Sequence, residues 1–267
     1  MTIQRKGLIA SVTVMLATTM STSVWAGAQV GEADACAGVS EVLIGLDNDN
    51  VSNPLIQPIV PPPNQSLNNA DILQGEDGCD VLIGLQGNDV LTGGEGQDIM
   101  IGGTEQFDPE GFGNRDVMIG GEGNDINIWA PGDGSDAFLG GAGSRDAMIF
   151  GLIDRDANNV PTLAPVVGTF SETGVPTANV TGSPGFCRLE DVRDTDLGFD
   201  YLVRFFVRST GNLAVTIRLR DVEQVFCTSE SGGAITFANL RKRYAQFVEI
   251  APGDVQRKNK VVSQIIR

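Results

Sequence analysis

The sequence predicts an all-β protein: a parallel β-roll of nonapeptide repeats, followed by a smaller β-rich C-terminal domain. Three observations support this class. Aspartates recur every nine residues in the middle of the chain, and a large apolar residue follows most of them by two positions. Apolar and polar residues alternate over two later segments. A fixed period is typical of repeat folds, and alternation is typical of half-buried strands.

Charge and glycine content divide the chain of 267 residues, whose net charge is −16. Residues 71–151 carry 16 acidic and two basic residues and 20 of the 34 glycines, whereas residues 152–267 carry 13 acidic and 14 basic residues. An acidic block of this kind repels nucleic acid and attracts cations. The predicted segments are 1–26 (signal peptide), 27–70 (an early degenerate repeat and a proline-rich loop), 71–151 (the roll) and 152–267 (the C-terminal domain).

The N-terminus predicts export. Arg5 and Lys6 precede an apolar stretch from Leu8 to about Met20, and small residues follow up to Ala26. This order is that of a secretory signal peptide. The apolar stretch is shorter than the ~20 residues that a membrane span needs, so cleavage after Ala26 is favoured over an uncleaved anchor. We expect no membrane span in the remaining chain, and a location outside the cell, at its surface or in the periplasm.

The repeat unit has the form G-G-x-G-x-D-x-U-x, where U is a large apolar residue. Gly93-Gly-Glu-Gly-Gln-Asp98-Ile-Met-Ile follows this form closely. The glycines permit positive φ and close backbone approach, and the short strand after the aspartate turns U inwards. The expected inward residues are Leu73, Leu82, Leu91, Met100, Met118 and Phe138.

These residue types suit calcium. The ion takes six to eight oxygen ligands at about 2.3–2.6 Å, so a loop must present backbone carbonyls beside a carboxylate. Without metal the block should be loose, because its carboxylates repel and its apolar content is small. The alternative, a flexible acidic linker, does not require an apolar residue two positions after an aspartate. The predicted metal ligands are Asp71, Asp80, Asp89, Asp98, Asp116, Asp125, Asp136 and Asp146.

This block resembles the hemolysin-type (RTX) calcium-binding repeats of bacterial toxins, proteases and surface proteins, over roughly residues 68–150. The resemblance implies a right-handed parallel β-roll in which the aspartates at position six of each unit are calcium ligands. Proteins of this family usually leave by type I secretion with an uncleaved C-terminal signal. The N-terminal signal of this chain instead favours a Sec route to the periplasm or onward to the surface.

Two nonapeptides make one turn of the roll, so residues 18 apart should stack. The expected stacked pairs are Asp71 over Asp89, Asp80 over Asp98, and Asp98 over Asp116. Residues 102–110 should fill one nine-residue slot as a degenerate unit that loops outward, since Phe107 stands at the aspartate position. This unit should weaken any site between Asp89 and Asp125. Upstream, Glu41-Val-Leu-Ile-Gly45 should be the end of an early unit, with Glu in place of Asp.

Alternation from Tyr201 to Arg208 and from Leu213 to Arg220 predicts a β-hairpin with one apolar face. Two interpretations of its other face stay open. The arginines pair with Asp221, Glu223 or the acidic roll, or they form a cationic patch for an anionic glycan or a cell-surface ligand. The four arginines of this face are Arg204, Arg208, Arg218 and Arg220.

The chain contains four cysteines, an even number that suggests disulfides in an exported protein. Three connectivities exist. We favour Cys36–Cys79 and Cys187–Cys227, which join each half separately, over four reduced thiols.

The chain has no histidine, which excludes H-E-x-x-H zinc chemistry, a Ser-His-Asp triad and Cys-His catalysis. We therefore expect a non-enzymatic calcium-binding protein with a binding, adhesion or structural role at the cell envelope or outside the cell. The alternative is a carboxylate-based, glycan-active hydrolase or lyase with the roll as an accessory module, because two acids suffice for glycoside cleavage.

Overall fold

The computed structural model describes residues 40–45, 71–85, 87–103, 115–158 and 160–267. The predicted signal peptide, most of the proline-rich segment and Phe107 lie outside these residues. In the described part, strands predominate and only two short helices occur. No described helix is long and apolar enough to cross a membrane. The predicted all-β class is confirmed.

Nine strands form the roll, and successive strands alternate between two parallel sheets. Because the chain crosses from one sheet to the other after every strand, it winds as a flattened coil. Odd-numbered strands lie in one sheet and even-numbered strands in the other. The strands are β1 Val42–Ile44, β2 Ile72–Asp77, β3 Val81–Ile83, β4 Val90–Glu95, β5 Ile99–Ile101, β6 Val117–Glu122, β7 Ile126–Trp129, β8 Ala137–Ala142 and β9 Ala147–Phe150.

The C-terminal part adds short strands, a hairpin and two helices. Four two-residue strands come first and form two separate antiparallel pairs. The elements are β10 Leu152–Ile153, β11 Leu163–Ala164, β12 Val175–Pro176, β13 Ala178–Asn179, β14 Gly185–Asp191, β15 Tyr201–Val207, β16 Leu213–Arg220, β17 Gln224–Thr228, β18 Ile235–Asn239, β19 Val248–Ile250, α1 Pro252–Lys258 and α2 Val262–Ile265.

Both sheets of the roll continue into the C-terminal part. β16 pairs in parallel with β8, where Arg218 lies beside Ala137, and β17 pairs in parallel with β9, where Gln224 lies beside Ala147. The even sheet therefore has the order β14-β15-β16-β8-β6-β4-β2, and the odd sheet has the order β1-β3-β5-β7-β9-β17-β18-β19. The hairpin β15–β16 and its apolar face confirm the alternation pattern.

The space between the two sheets is filled by the residues that the repeat predicts to point inwards. All six predicted residues are buried. At the C-terminal end of the roll, the Trp129 ring lies 4.7 Å from that of Phe205 and 5.4 Å from that of Phe150, measured between ring centres. The hairpin therefore packs on the same core as the repeats.

A second apolar cluster covers the outer face of the odd sheet. Ile99 and Ile126 belong to it, together with Phe170 and the α2 residues Val262 and Ile265. The strands β3, β5, β7 and β9 are thus buried on both faces, which explains why they consist almost entirely of apolar residues, such as Ile-Met-Ile in β5. The strands β4 and β6 of the even sheet alternate between buried and part-exposed residues.

The register confirms two of the expected stacks and corrects the third. Asp71 stacks over Asp89, and Asp80 stacks over Asp98. The expected stack of Asp98 over Asp116 is wrong: Asp116 lies under Asp89 and Asp125 under Asp98, both 27 residues along.

Pairing runs directly from β4 to β6 and from β5 to β7, whereas residues 104–110 of the predicted slot lie outside the described residues. The unit at 102–110 lacks a position-six aspartate, and filling a slot with it would move each later aspartate to the opposite edge. The predicted weakening of any metal site between Asp89 and Asp125 stays a prediction.

The predicted disulfide Cys187–Cys227 is present and joins β14 to β17, which belong to different sheets. Cys79 is disulfide-bonded as well, but its predicted partner, Cys36, lies outside the described residues. The predicted early unit is also present, because β1 pairs in parallel with β3 and the Glu41 N–H donates to Asp80 Oδ1 at 2.6 Å.

Candidate calcium site

All eight predicted aspartates lie in two buried rows that run along the roll, one at each edge. We call Asp71, Asp89, Asp116 and Asp136 the first ladder, and Asp80, Asp98, Asp125 and Asp146 the second ladder. None of the eight is more than 2% exposed. Each stands directly before a strand, so the winding of the chain places one aspartate per turn in each row.

Each rung of a ladder is a hydrogen bond from the backbone. The N–H of one aspartate donates to Oδ1 of the aspartate in the next coil, and the six N···Oδ1 distances lie between 2.7 and 3.0 Å. Asp136 and Asp146 take part although their units contain extra residues. The bond fixes the orientation of each carboxylate and satisfies a buried backbone N–H.

The other carboxylate oxygen is left without a hydrogen-bond partner among the described residues in most rungs. Its exposed area is below 1 Å², so water does not replace that partner readily. Buried polar atoms without partners are rare and costly in proteins. The residues with such an Oδ2 atom are Asp80, Asp89, Asp98, Asp116, Asp125 and Asp146.

These oxygens lie so close to a glycine that no side chain could stand there. A methyl group built on Gly93 would lie 2.2 Å from Asp98 Oδ2 and 2.7 Å from the carbonyl oxygen of Gly120. On Gly120 it would lie 2.2 Å from Asp125 Oδ2 and 2.3 Å from the carbonyl oxygen of Gly140. In these two units the first glycine thus lets a carboxylate oxygen and a main-chain carbonyl oxygen approach the same point of the backbone, and both are oxygen types that bind calcium.

Burial raises the pKa of the ladder carboxyls. The pKa of Asp98 rises to about 7, that of Asp89 to about 8 and that of Asp125 to about 9, with desolvation as the main cause. The neighbouring backbone N–H lowers each pKa, and the next acid in the ladder raises it again. Each site is therefore short of positive charge, which a divalent cation would supply.

Side chains alone do not complete a metal site. In the described ranges, no three acidic, histidine or cysteine side chains converge closely enough to hold an ion. Since calcium needs at least six oxygens, the remaining ligands would have to be backbone carbonyls of the glycine loops. The residues present fit calcium on these terms.

Sequence reasoning missed one member of the second ladder. Glu223 Oε2 accepts the N–H of Asp146 at 3.0 Å, as Asp146 Oδ1 accepts that of Asp125 at 2.7 Å. Glu223 lies 77 residues beyond Asp146 and outside any glycine repeat. The periodic signal could not have found it.

The four arginines of the hairpin face have partners within the chain. Arg204 pairs with Glu190, and Arg220 lies 3.7 Å from Asp221. Arg218 donates to the carbonyl of Ser135 at 2.9 Å, and Arg208 donates to several carbonyls, that of Gly185 at 2.7 Å among them. The contact between Arg220 and Asp221 is one of the expected charge pairs, whereas the other three arginines contact Glu190 or main-chain carbonyls. A glycan or cell-surface ligand for this face stays a prediction.

The winding of the two sheets and the paired ladders define a calcium-binding parallel β-roll. Residues 74–104 and 110–126 match the family model of the RTX calcium-binding nonapeptide repeat, in four copies. The chain therefore contains RTX repeats, which bind calcium ions; the match covers less than a fifth of the residues. No curated protein and no solved structure matches the chain.

Proposed function

We propose that the eight ladder aspartates are the side-chain ligands of the calcium ions, and that calcium loading folds the roll. The observation that carries this proposal is the set of buried Oδ2 atoms that lie against the loop glycines and lack a hydrogen-bond partner among the described residues. In each rung, Oδ1 stays engaged with a backbone N–H and orients the carboxylate. A bound calcium ion would supply the positive charge that these carboxylates lack.

We propose further that the chain is exported and gains its structure where calcium is plentiful. The N-terminal sequence supports export, and the acidic roll supports dependence on an external cation. Because both sheets run from the roll into the C-terminal part, ordering of the roll would also order the hairpin and β17. This coupling suits a calcium-dependent binding, adhesion or structural role for the C-terminal part.

A non-catalytic role fits the placement of the acids. The ladder carboxylates are buried and held by backbone N–H groups, whereas a glycosidase needs two acids flanking a bound sugar. We therefore assign these carboxylates to metal binding and not to acid–base chemistry.

The first test is a calcium titration of a chain that begins at residue 27, followed by circular dichroism with magnesium as the control ion. We expect a cooperative gain of β signal with calcium alone. A chain whose spectrum does not respond to calcium would disprove the proposal. Asp98→Asn should weaken binding at least tenfold, because the amide oxygen can still accept the Asp80 N–H but the charge is lost. The matched control is Asp196→Asn, at an exposed turn.

The biological role needs a second test, namely attachment of the calcium-loaded chain to whole cells, extracellular matrix and a glycan array. Attachment that disappears with a chelator would support adhesion. Full calcium-driven folding with no attachment would leave the structural role. Turnover of a glycan would contradict the non-catalytic assignment.

A further inference from the structure

The second ladder does not end where the repeats end. In the last repeat, the N–H of Asp146 donates to Glu223, a residue of the connection between β16 and β17. Gln224 pairs with Ala147 in the parallel register, so Glu223 stands where the aspartate of a further coil would stand. Its side chain is only 15% exposed. Glu223 is therefore the terminal rung of the second ladder.

A main-chain carbonyl in the same β16–β17 connection takes the place that a glycine carbonyl has in the repeats. A methyl group built on Gly140 would lie 2.8 Å from Asp146 Oδ2 and 2.1 Å from the carbonyl oxygen of Asp221. In the preceding coil, the carbonyl oxygen of Gly140 has the equivalent position: it lies 2.3 Å from a methyl group built on Gly120. Asp221 thus stands where a loop glycine stands in the repeats. Its φ of 54° lies in the left-handed region, and its N–H donates to Asp200 Oδ2 at 2.8 Å.

One buried carboxylate oxygen lies beside this carbonyl oxygen at Gly140. Asp146 is 0% exposed, and its Oδ2 atom has no hydrogen-bond partner among the described residues. The base nearest to Glu223 among the described ion pairs is Arg241, 3.9 Å away and 56% exposed in its side chain. Two carboxylates therefore face one partly solvated cation, a balance that favours a divalent ion.

From these contacts we propose that the roll is closed by an additional calcium site, formed by Asp146 and Glu223 with the carbonyl of Asp221. Two of its three named ligands come from outside the repeats, so the ion would bind the β16–β17 connection to the last repeat. The inference rests on the calcium binding proposed above.

The first ladder has no such extension. Arg218 pairs with Ala137, which places Ile217 at the position after Asp136 in that ladder. Ile217 is fully buried and apolar, so it offers no ligand. The closing site therefore belongs to one edge of the roll, the edge at which β17 enters the odd sheet.

The test counts calcium ions per chain by equilibrium dialysis and isothermal titration, in the protein and in Glu223→Gln. The glutamine amide oxygen can still accept the Asp146 N–H, whereas the charge is lost. We expect one ion fewer, or one site weakened at least tenfold. The matched control is Glu249→Gln, an exposed glutamate on β19, and it should bind the full number.

An unchanged count and unchanged affinities in Glu223→Gln would overturn the inference. A protein that binds no calcium at all would instead overturn the proposed function, so the two failures differ. If Glu223→Gln does not fold, Glu223→Asp decides, because it keeps the charge but withdraws the carboxylate by one methylene group: one site weakened relative to the control supports the inference, and a full count with affinities equal to those of the control overturns it.

Discussion

At the scale of single residues, the second position of the glycine loops sets a strict backbone requirement. Gly94 and Gly121 stand there with φ of 119° and 114°, which L-residues rarely adopt. In two earlier loops the same position is held by Glu76 and Leu85, with φ of 67° and 72°. These two side chains are accommodated in the left-handed region at a cost of order 1 kcal/mol each.

We expect Gly94→Ala to lower the free energy of unfolding by at least about 2 kcal/mol, since its Cβ would lie 1.9 Å from the carbonyl oxygen of Glu76. The complementary change, Glu76→Gly, should raise it by up to about 1 kcal/mol. Urea unfolding in saturating calcium measures both. Two changes of the same sign would contradict the backbone explanation.

A second residue-scale prediction concerns Asn127, which occupies an inward position between Met100 and Met148 in the odd sheet. It is 1% exposed, and its Nδ2 has no hydrogen-bond partner among the described residues. Asn127→Leu should therefore raise the free energy of unfolding by about 1–3 kcal/mol. Met100→Asn is the reverse control and should lower it. A destabilised Asn127→Leu protein would show that the amide is satisfied by a bound water.

At the scale of elements, the disulfide between β14 and β17 links the two sheets across their shared core. Its two cysteines are 40 residues apart, so the bond restricts the unfolded chain strongly. We expect replacement of both cysteines by alanine to cost about 3–4 kcal/mol on the chain-entropy account. Urea unfolding in calcium measures the cost, and the variant is preferable to a reductant because Cys79 is also disulfide-bonded. An unchanged midpoint would mean that sheet continuity alone fixes these strands.

At the scale of the whole molecule, the roll and the C-terminal part share both sheets and one core, so we expect them to respond to calcium together. Trp129 reports on this junction, because its ring packs against Phe205 of the hairpin and Phe150 of the last repeat. It is the only tryptophan after the predicted cleavage position. Its fluorescence should change at the same calcium concentration as the β signal.

The raised carboxyl pKa values give a pH dependence with a definite sign. Folded calcium-free protein holds protons on Asp98, Asp89 and Asp125 up to about pH 7, 8 and 9, whereas the unfolded chain loses them near its ordinary pKa of 3.8. Each group thus stabilises the calcium-free fold below about pH 4, and this contribution is lost as the pH rises toward 9, by up to about 1.4 kcal/mol per pH unit.

Since the roll is expected to be loose without calcium at neutral pH, circular dichroism of protein freed of calcium on a chelating resin should show less β signal at pH 8 than at pH 5. The stabilisation by added calcium should be larger at pH 8, because the ion competes with protons for these carboxylates. If the calcium-free protein instead shows more β signal at pH 8 than at pH 5, the raised pKa values of the ladder carboxyls do not govern its stability.

The sequence by itself determined the roll, its inward residues and the eight ladder aspartates, because all of these depend on a short period that local winding repeats. The third stack, the terminal rung Glu223 and the continuation of both sheets were decided only by the tertiary structure. Asp116 lies under Asp89 because β4 pairs directly with β6, a register of 27 residues that the nine-residue period did not predict. Glu223 accepts the N–H of Asp146, from which it is separated by 77 residues. This contact depends on how the hairpin and β17 pack on the last coil, and a local sequence pattern cannot predict that packing.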